Sequence, residues 1–182
     1  MNELSLHILD IVQNSIAANA SVIEIIIDED QAKDRYLIEI NDNGKGMSKE
    51  VLQEVADPFF TSRTTRKVGL GISLLKQNAE QTGGSLSIFS EEGKGTKLTA
   101  TFSHKHLDRP MLGDMAGTMT LLIGANPQIR FIYTHRTPLS DFEFDTNEVK
   151  EELEGTPINH PDILKALKEL IEENLEMIES SK

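Results

Sequence analysis

Apolar positions recur at helical spacing from the start of the chain. Leu4, Ile8, Ile11, Val12, Ser15 and Ile16 share one face, which predicts a helix over residues 4–19. "ANAS" at 18–21 breaks that period, and "VIEIII" at 22–27 follows as a β-branched strand, with "RYLIEIN" at 35–41 as the next. "DNGKG" at 42–46 is a turn by composition, its two glycines free to take positive φ. Ser48 caps a short helix, "KEVLQEV", in which Val51 and Val55 stand one turn apart. A further helix, "GISLLKQNAEQT", stops at Gly83-Gly84. "SLSIFS" and "KLTATFS" alternate and are joined by "EEGKG", the signal of a hairpin.

This order predicts an α/β (α+β) fold, a two-layer sandwich with helices on one face of a mixed sheet. Residues 104–117 carry turn residues and little periodicity, and are expected to connect residues 1–103 to a small α/β extension at 118–182. In that extension "TMTLLIGANPQIRFIYTH" predicts two strands around the Asn126-Pro127 turn, and "FEFD" a third. The last helix is predicted over 161–180, where Leu164, Leu167, Ile171, Leu175 and Ile178 form a stripe. That stripe suits packing on the chain's own strands or, alternatively, a dimer or partner surface.

Composition narrows the function. The 182 residues are 38 % hydrophobic and 26 % charged, an ordinary globular balance. A net charge of −12 argues against a broad nucleic-acid surface, which needs a basic face. It leaves room for a local basic pocket, and "DPFFTSRTTRKVGLGISLLK" offers one: Arg63, Arg66, Lys67 and Lys76 surround a glycine turn, as if for an anion. No cysteine is present, which excludes thiolate metal sites and is compatible with a reducing cytoplasm. No apolar run is long enough to span a bilayer and the first residues lack the basic start of a signal peptide, so a cytoplasmic protein is expected.

Single motifs here are weak, and no Walker-type phosphate loop exists. Their order is specific. A helix carrying Asp10 and Asn14 precedes "DNGKGM", "PFFTSR", "VGLGISLLK" and "GGSLSIFSEEGKGT". Over roughly residues 4–102 this series resembles the boxes of the GHKL ATPases, which include gyrase-type topoisomerases, heat-shock chaperones, histidine kinases and MutL. The resemblance implies a Bergerat-type ATP-binding fold.

It also implies roles for individual residues. Asn14 stands where the family places its magnesium ligand, and an amide oxygen is a hard neutral donor suited to Mg²⁺. Asp10, one turn earlier, occupies the position of the glutamate base of hydrolytic members, one methylene shorter; the plain alternative is a helix-surface carboxylate. Asp42 corresponds to the carboxylate that accepts the adenine amino group, and Gly44 and Gly46 let backbone approach the base. Met47 and Ile72 resemble apolar neighbours of the ring, or core. Residues 61–67, with Thr61, Arg63, Arg66 and Lys67, correspond to the ATP lid. Gly69, Leu70 and Gly71 correspond to the start of a helix whose amides face phosphates. Gly93, Gly95 and Thr96 match the last box, where the threonine hydroxyl helps hold adenine.

The expected activity is therefore Mg²⁺-ATP binding, with phosphoryl transfer to a partner protein or slow hydrolysis; the alternative is an ATP-dependent binding module without turnover. Too few residues precede the first box for a complete sensor kinase. The partners expected are ATP and a protein partner or substrate, with homodimer formation as a further option, and neither nucleic acid nor membrane. Two further features stay open. His104, His106 and Asp108 alternate, which suits either a metal site or a solvated strand end. His7, one turn before Asp10, suits a helix surface or a phosphate contact.

Overall fold

The computed structural model describes residues 3–56 and 68–180. Six helices and six strands are present among the described residues. In chain order they are α1 (Leu4–Ala17), β1 (Val22–Asp30), β2 (Arg35–Asp42), α2 (Lys49–Ala56), α3 (Val68–Gln81), β3 (Ser85–Glu91), β4 (Gly95–Ser103), α4 (Met115–Ala125), β5 (Arg130–Arg136), β6 (Asp141–Asp145), α5 (Thr146–Glu152) and α6 (Pro161–Ser180). The strands form one mixed sheet in the order β3-β4-β2-β1-β5-β6, in which only β1 and β5 run parallel.

The sheet is amphipathic because its strands are. In β1, Ile23, Ile25 and Ile27 are buried while their neighbours are half-buried, and β2 repeats the pattern with Tyr36, Ile38 and Ile40. With a side-chain period of two, this puts one face against helices and leaves the other in water. The open face carries ion pairs such as Asp28–Arg35 and Glu39–Lys97. On the covered face, Leu4, Ile8, Ile11 and Val12 of α1 pack with Ile72, Leu75 and Ala79 of α3 over the inner residues of the sheet. Each such side chain contributes about 1.5–3 kcal/mol through burial, so the helix that carries Asp10 and Asn14 is anchored by its other face.

The segment 118–125 corrects the strand expectation. It belongs to α4, because Met115, Ala116, Met119, Leu122 and Ile123 recur at helical spacing and are all buried. Asp114 caps the helix by accepting from Gly117 N at 2.8 Å. Local β propensity loses here to packing against α6, whose Leu167, Ile171 and Ile178 are buried. Gly124 sits so close that an added Cβ would lie 3.0 Å from Leu164 Cδ1. The stripe of α6 therefore packs on α4 and β6 within the chain.

The connection after β4 is also structural. α1 begins without a side-chain cap, and its first two amides instead donate to the connection: Leu4 N to Met111 O and Ser5 N to Leu112 O, both at 2.8 Å. These carbonyls satisfy amides that a helix start leaves without internal partners.

Candidate nucleotide site

At one end of the sheet three inward-facing polar side chains stand in a row across three strands. Ser90 of β3 is opposite Thr96 of β4, which is opposite Asp42 of β2. Each continues the face that Ile88, Leu98 and Ile40 bury further along, so the polar row is the rim of the core.

Asp42 is held at both oxygens. Ser15, buried on α1, donates from Oγ to Asp42 Oδ2 at 2.6 Å, and Gly44 N donates to Oδ1 at 2.9 Å. A charge-assisted hydrogen bond of this kind is roughly twice as strong as a neutral one. The carboxylate keeps further lone pairs, is only half-buried, and can accept from a ligand's amine.

The loop after Asp42 is pinned from several sides. Lys45 N donates to Ala18 O, Lys45 O accepts from Gly93 N at 2.7 Å, and Met47 N donates to Ser90 Oγ. Asn43 Oδ1 accepts from the amides of Ser21 and Val22. Two glycines are needed sterically. A Cβ on Gly46, at φ +70°, would lie 2.0 Å from Glu91 O, and one on Gly95, at φ +121°, would lie 2.0 Å from Asp42 O. Gly44 is nearly as tight against Ala18.

On α1, Asp10 and Asn14 lie one turn apart and both are half-buried. Asp10 stands beside the first turn of α3: a Cβ on Gly71 would be 3.3 Å from its Oδ2. Gly69, Leu70 and Gly71 all fall in that turn, whose amides make the end electropositive. Helix α3 thus starts beside Asp10 and runs back along α1 to His7, which meets Asn78, while Ile72 is buried in the core and Met47 is half-buried at the rim. Thr61, Arg63, Arg66 and Lys67 lie outside the described residues.

His7 corrects the expectation of a surface residue or phosphate contact. It is 1 % exposed, with Nε2 2.9 Å from Asn78 Nδ2 of α3 and Nδ1 buried without a partner. Burial pushes its pKa down, the positive N-terminus adds to that, and Asp10 opposes it. His104 turns inward as well: its Nε2 meets Glu29 Oε1 at 3.0 Å, while His135 Nε2 meets Glu29 Oε2 at 2.6 Å. His106 Nδ1 instead accepts from Asp108 N. Among the described residues no group of three or more His, Cys, Asp or Glu is arranged to hold a metal.

The sequence places Ser15 on the apolar face of its helix, but neither Ser15 nor Ser90 was given a role in the site. Both carried a signal: each is a hydroxyl at a position that the period of its helix or strand turns inward, where a polar group needs a partner.

Comparison with known proteins gives the family and the fold. The family model described as "Histidine kinase-, DNA gyrase B-, and HSP90-like ATPase" matches residues 2–106, more than half of the chain. The chain belongs to this ATPase family. Among curated relatives of this ATPase domain, the sensor protein DegM of Bacillus sp. (strain B21-2) is 34 % identical over 97 residues, covering 53 % of this chain and 26 % of DegM. Sporulation kinase D of Bacillus subtilis (strain 168) is 32 % identical over 94 residues, covering 52 % of this chain and 18 % of the kinase. The chain thus spans about a quarter or less of the length of these relatives. Among solved structures, the N-terminal domain of a DNA repair protein superposes with a TM-score of 0.54 at 22 % identity, over 79 % of this chain and 52 % of that one. That likeness concerns the fold, a mixed sheet with helices on one face. No helix among the described residues is long and apolar enough to cross a membrane.

Proposed function

We propose that this ATPase-family protein binds Mg²⁺-ATP and uses it either to phosphorylate a partner protein or to drive a slow hydrolytic switch. One observation carries the reading: Asp42, fixed by Ser15 and Gly44, stands half-buried at the rim of the core, where glycines let the neighbouring backbone segments close up. An ionised carboxylate only accepts, so it selects a base with an exocyclic amine over one with a carbonyl. Thr96 and Met47 border the same rim. The phosphates are then assigned to the first turn of α3 at Gly69, Leu70 and Gly71, with Thr61, Arg63 and Lys67 as the cationic lid.

The residues present suit a magnesium ion. Asn14 offers a neutral oxygen donor, half-buried, one turn from Asp10 and on the side of α1 that approaches α3. A magnesium ion held there by Asn14 would offset the charge of the phosphates. Asp10 takes the proton from an attacking water or partner hydroxyl, and its short side chain makes that transfer slow. We assign ATP binding to residues 1–103, with 104–117 connecting to an extension at 118–182 that lengthens the same sheet, and a cytoplasmic setting where ATP is available. The same shortness of Asp10 favours a second reading, an ATP-dependent binding module without turnover.

Incubation of the purified protein with γ-labelled ATP and Mg²⁺ separates these readings. Released phosphate or a labelled protein in lysate supports turnover, with Asp10→Asn lowering it about 10²–10⁴-fold while leaving binding nearly intact. Binding alone, unchanged by Asp10→Asn, supports the module. Asn14→Ala should abolish the magnesium dependence of binding in either case, and its persistence would remove Asn14 from the metal.

A further inference from the structure

We infer that Ser90 is a positioning residue that sets the hydrogen-bond polarity of Thr96, and through it the discrimination between 6-amino and 6-oxo purines; the inference rests on the adenine reading of Asp42. Ser90 Oγ has three polar neighbours. Met47 N donates to it at 2.9 Å, Gly95 O lies 3.0 Å away, and Thr96 Oγ1 lies 2.8 Å away.

A hydroxyl has one proton and two lone pairs. The Met47 amide can only donate, so it takes one lone pair of Ser90. The Gly95 carbonyl can only accept, so it takes the single proton of Ser90. The contact to Thr96 must then use the second lone pair of Ser90, and Thr96 supplies the proton. In the opposite arrangement, with Ser90 donating to Thr96, two acceptors would face each other at 3.0 Å across Ser90 and Gly95. Only the first pattern satisfies all three contacts.

Thr96 therefore directs its proton at Ser90 and presents lone pairs to a ligand. It stands opposite Asp42 in the ladder on the same face, so the rim offers two acceptors side by side. A 6-amino group carries two N–H bonds and suits such a pair. A 6-oxo group brings a third acceptor and is rejected. Asp42 alone would reject it in part; the contribution assigned to Ser90 is to keep Thr96 from turning its proton outward to rescue the wrong base.

The test compares ATP with ITP, which differ at position 6 and in the adjoining N1 proton, by calorimetry on the full chain. Ser90→Ala frees the proton of Thr96, and the ATP:ITP affinity ratio should fall about three- to tenfold, the range that one net hydrogen bond supplies. Ser90→Thr keeps the hydroxyl and should restore the ratio, which mere packing at this position would not. Thr96→Val removes the acceptor and should also lower the ratio, and adding Ser90→Ala to it should change nothing further. A ratio that rises in Thr96→Val would show that Thr96 donates to the ligand, and would overturn the inference even if Ser90→Ala failed to fold. An unchanged ratio in Ser90→Ala, with ATP still bound, overturns it while leaving the adenine site standing. A wild-type protein that binds no ATP overturns both.

Discussion

Two carboxylates sit on the same face of the same sheet, at opposite ends, and in opposite settings. Asp42 ends β2, and Glu29 lies near the end of the neighbouring antiparallel strand β1, six pairs along the ladder from Asp42 (Glu29 is opposite Tyr36, and Asp42 opposite Ile23). Glu29 is 6 % exposed and gives one oxygen to each of two imidazoles, His104 and His135. Tyr133 Oη continues the chain at His135 Nδ1, and Arg109 covers the Tyr36 ring at 4.4 Å. Asp42 is held as firmly, by Ser15 and Gly44, but remains half-buried. A carboxylate enclosed by donors fastens the fold: Glu29 ties β1 to β5 and to the connection that caps α1. A carboxylate steadied from behind, with lone pairs left over, can read a ligand. Enclosure, not residue type, separates the roles.

The largest expected effect comes from breaking the enclosed end. Glu29→Ala strands the buried His135 and the half-buried His104, and should cost about 3 kcal/mol of stability in denaturant unfolding. ATP affinity of the folded fraction should hardly move, and a loss of affinity without a loss of stability would reverse the contrast.

Asp42→Asn is the mirror experiment. It should weaken ATP binding by about 1–3 kcal/mol, through a mispaired donor at the rim, while the melting temperature stays within a few degrees. If calorimetry shows ATP and GTP bound equally by the wild type, Asp42 loses its assignment to the base.

His7 sharpens the comparison through pH. Its lowered pKa means the native state resists a proton that the unfolded chain accepts, so stability is present above the ordinary histidine value of about 6.5 and is lost as pH falls below it. Unfolding at pH 5.5 and 7.5 should differ less in His7→Gln than in the wild type. Equal differences would place the proton uptake elsewhere. The smallest effect belongs to the open face: Lys97→Ala breaks the 3.7 Å pair between exposed Lys97 and half-buried Glu39 and should change stability by less than about 0.5 kcal/mol.

Much of this was legible before the structure. The alternation in β1 to β4, the helical stripe of α1 and the glycine-bearing turns are local patterns, and local patterns survive in one dimension. The order of those turns and of Asp10, Asn14, Asp42 and Thr96 resembles the boxes of an ATPase family, and that resemblance is what suggested a nucleotide site. The sequence alone also marked the stripe of α6, in which Leu167, Ile171 and Ile178 are buried and Leu164 and Leu175 half-buried, since period and hydrophobicity agree there.

Tertiary structure decided the remainder. Residues 118–125 are rich in Thr, Leu and Ile and suit a strand locally; contact with α6 makes them a helix. That β5 lies parallel beside β1, extending the sheet, is a long-range pairing that no short pattern records. The inward turn of His7 and His104, and the partnership of Ser15 with Asp42 across 27 residues, follow the same rule. A polar side chain's role depends on what faces it, and what faces it is set by packing between segments distant in the chain.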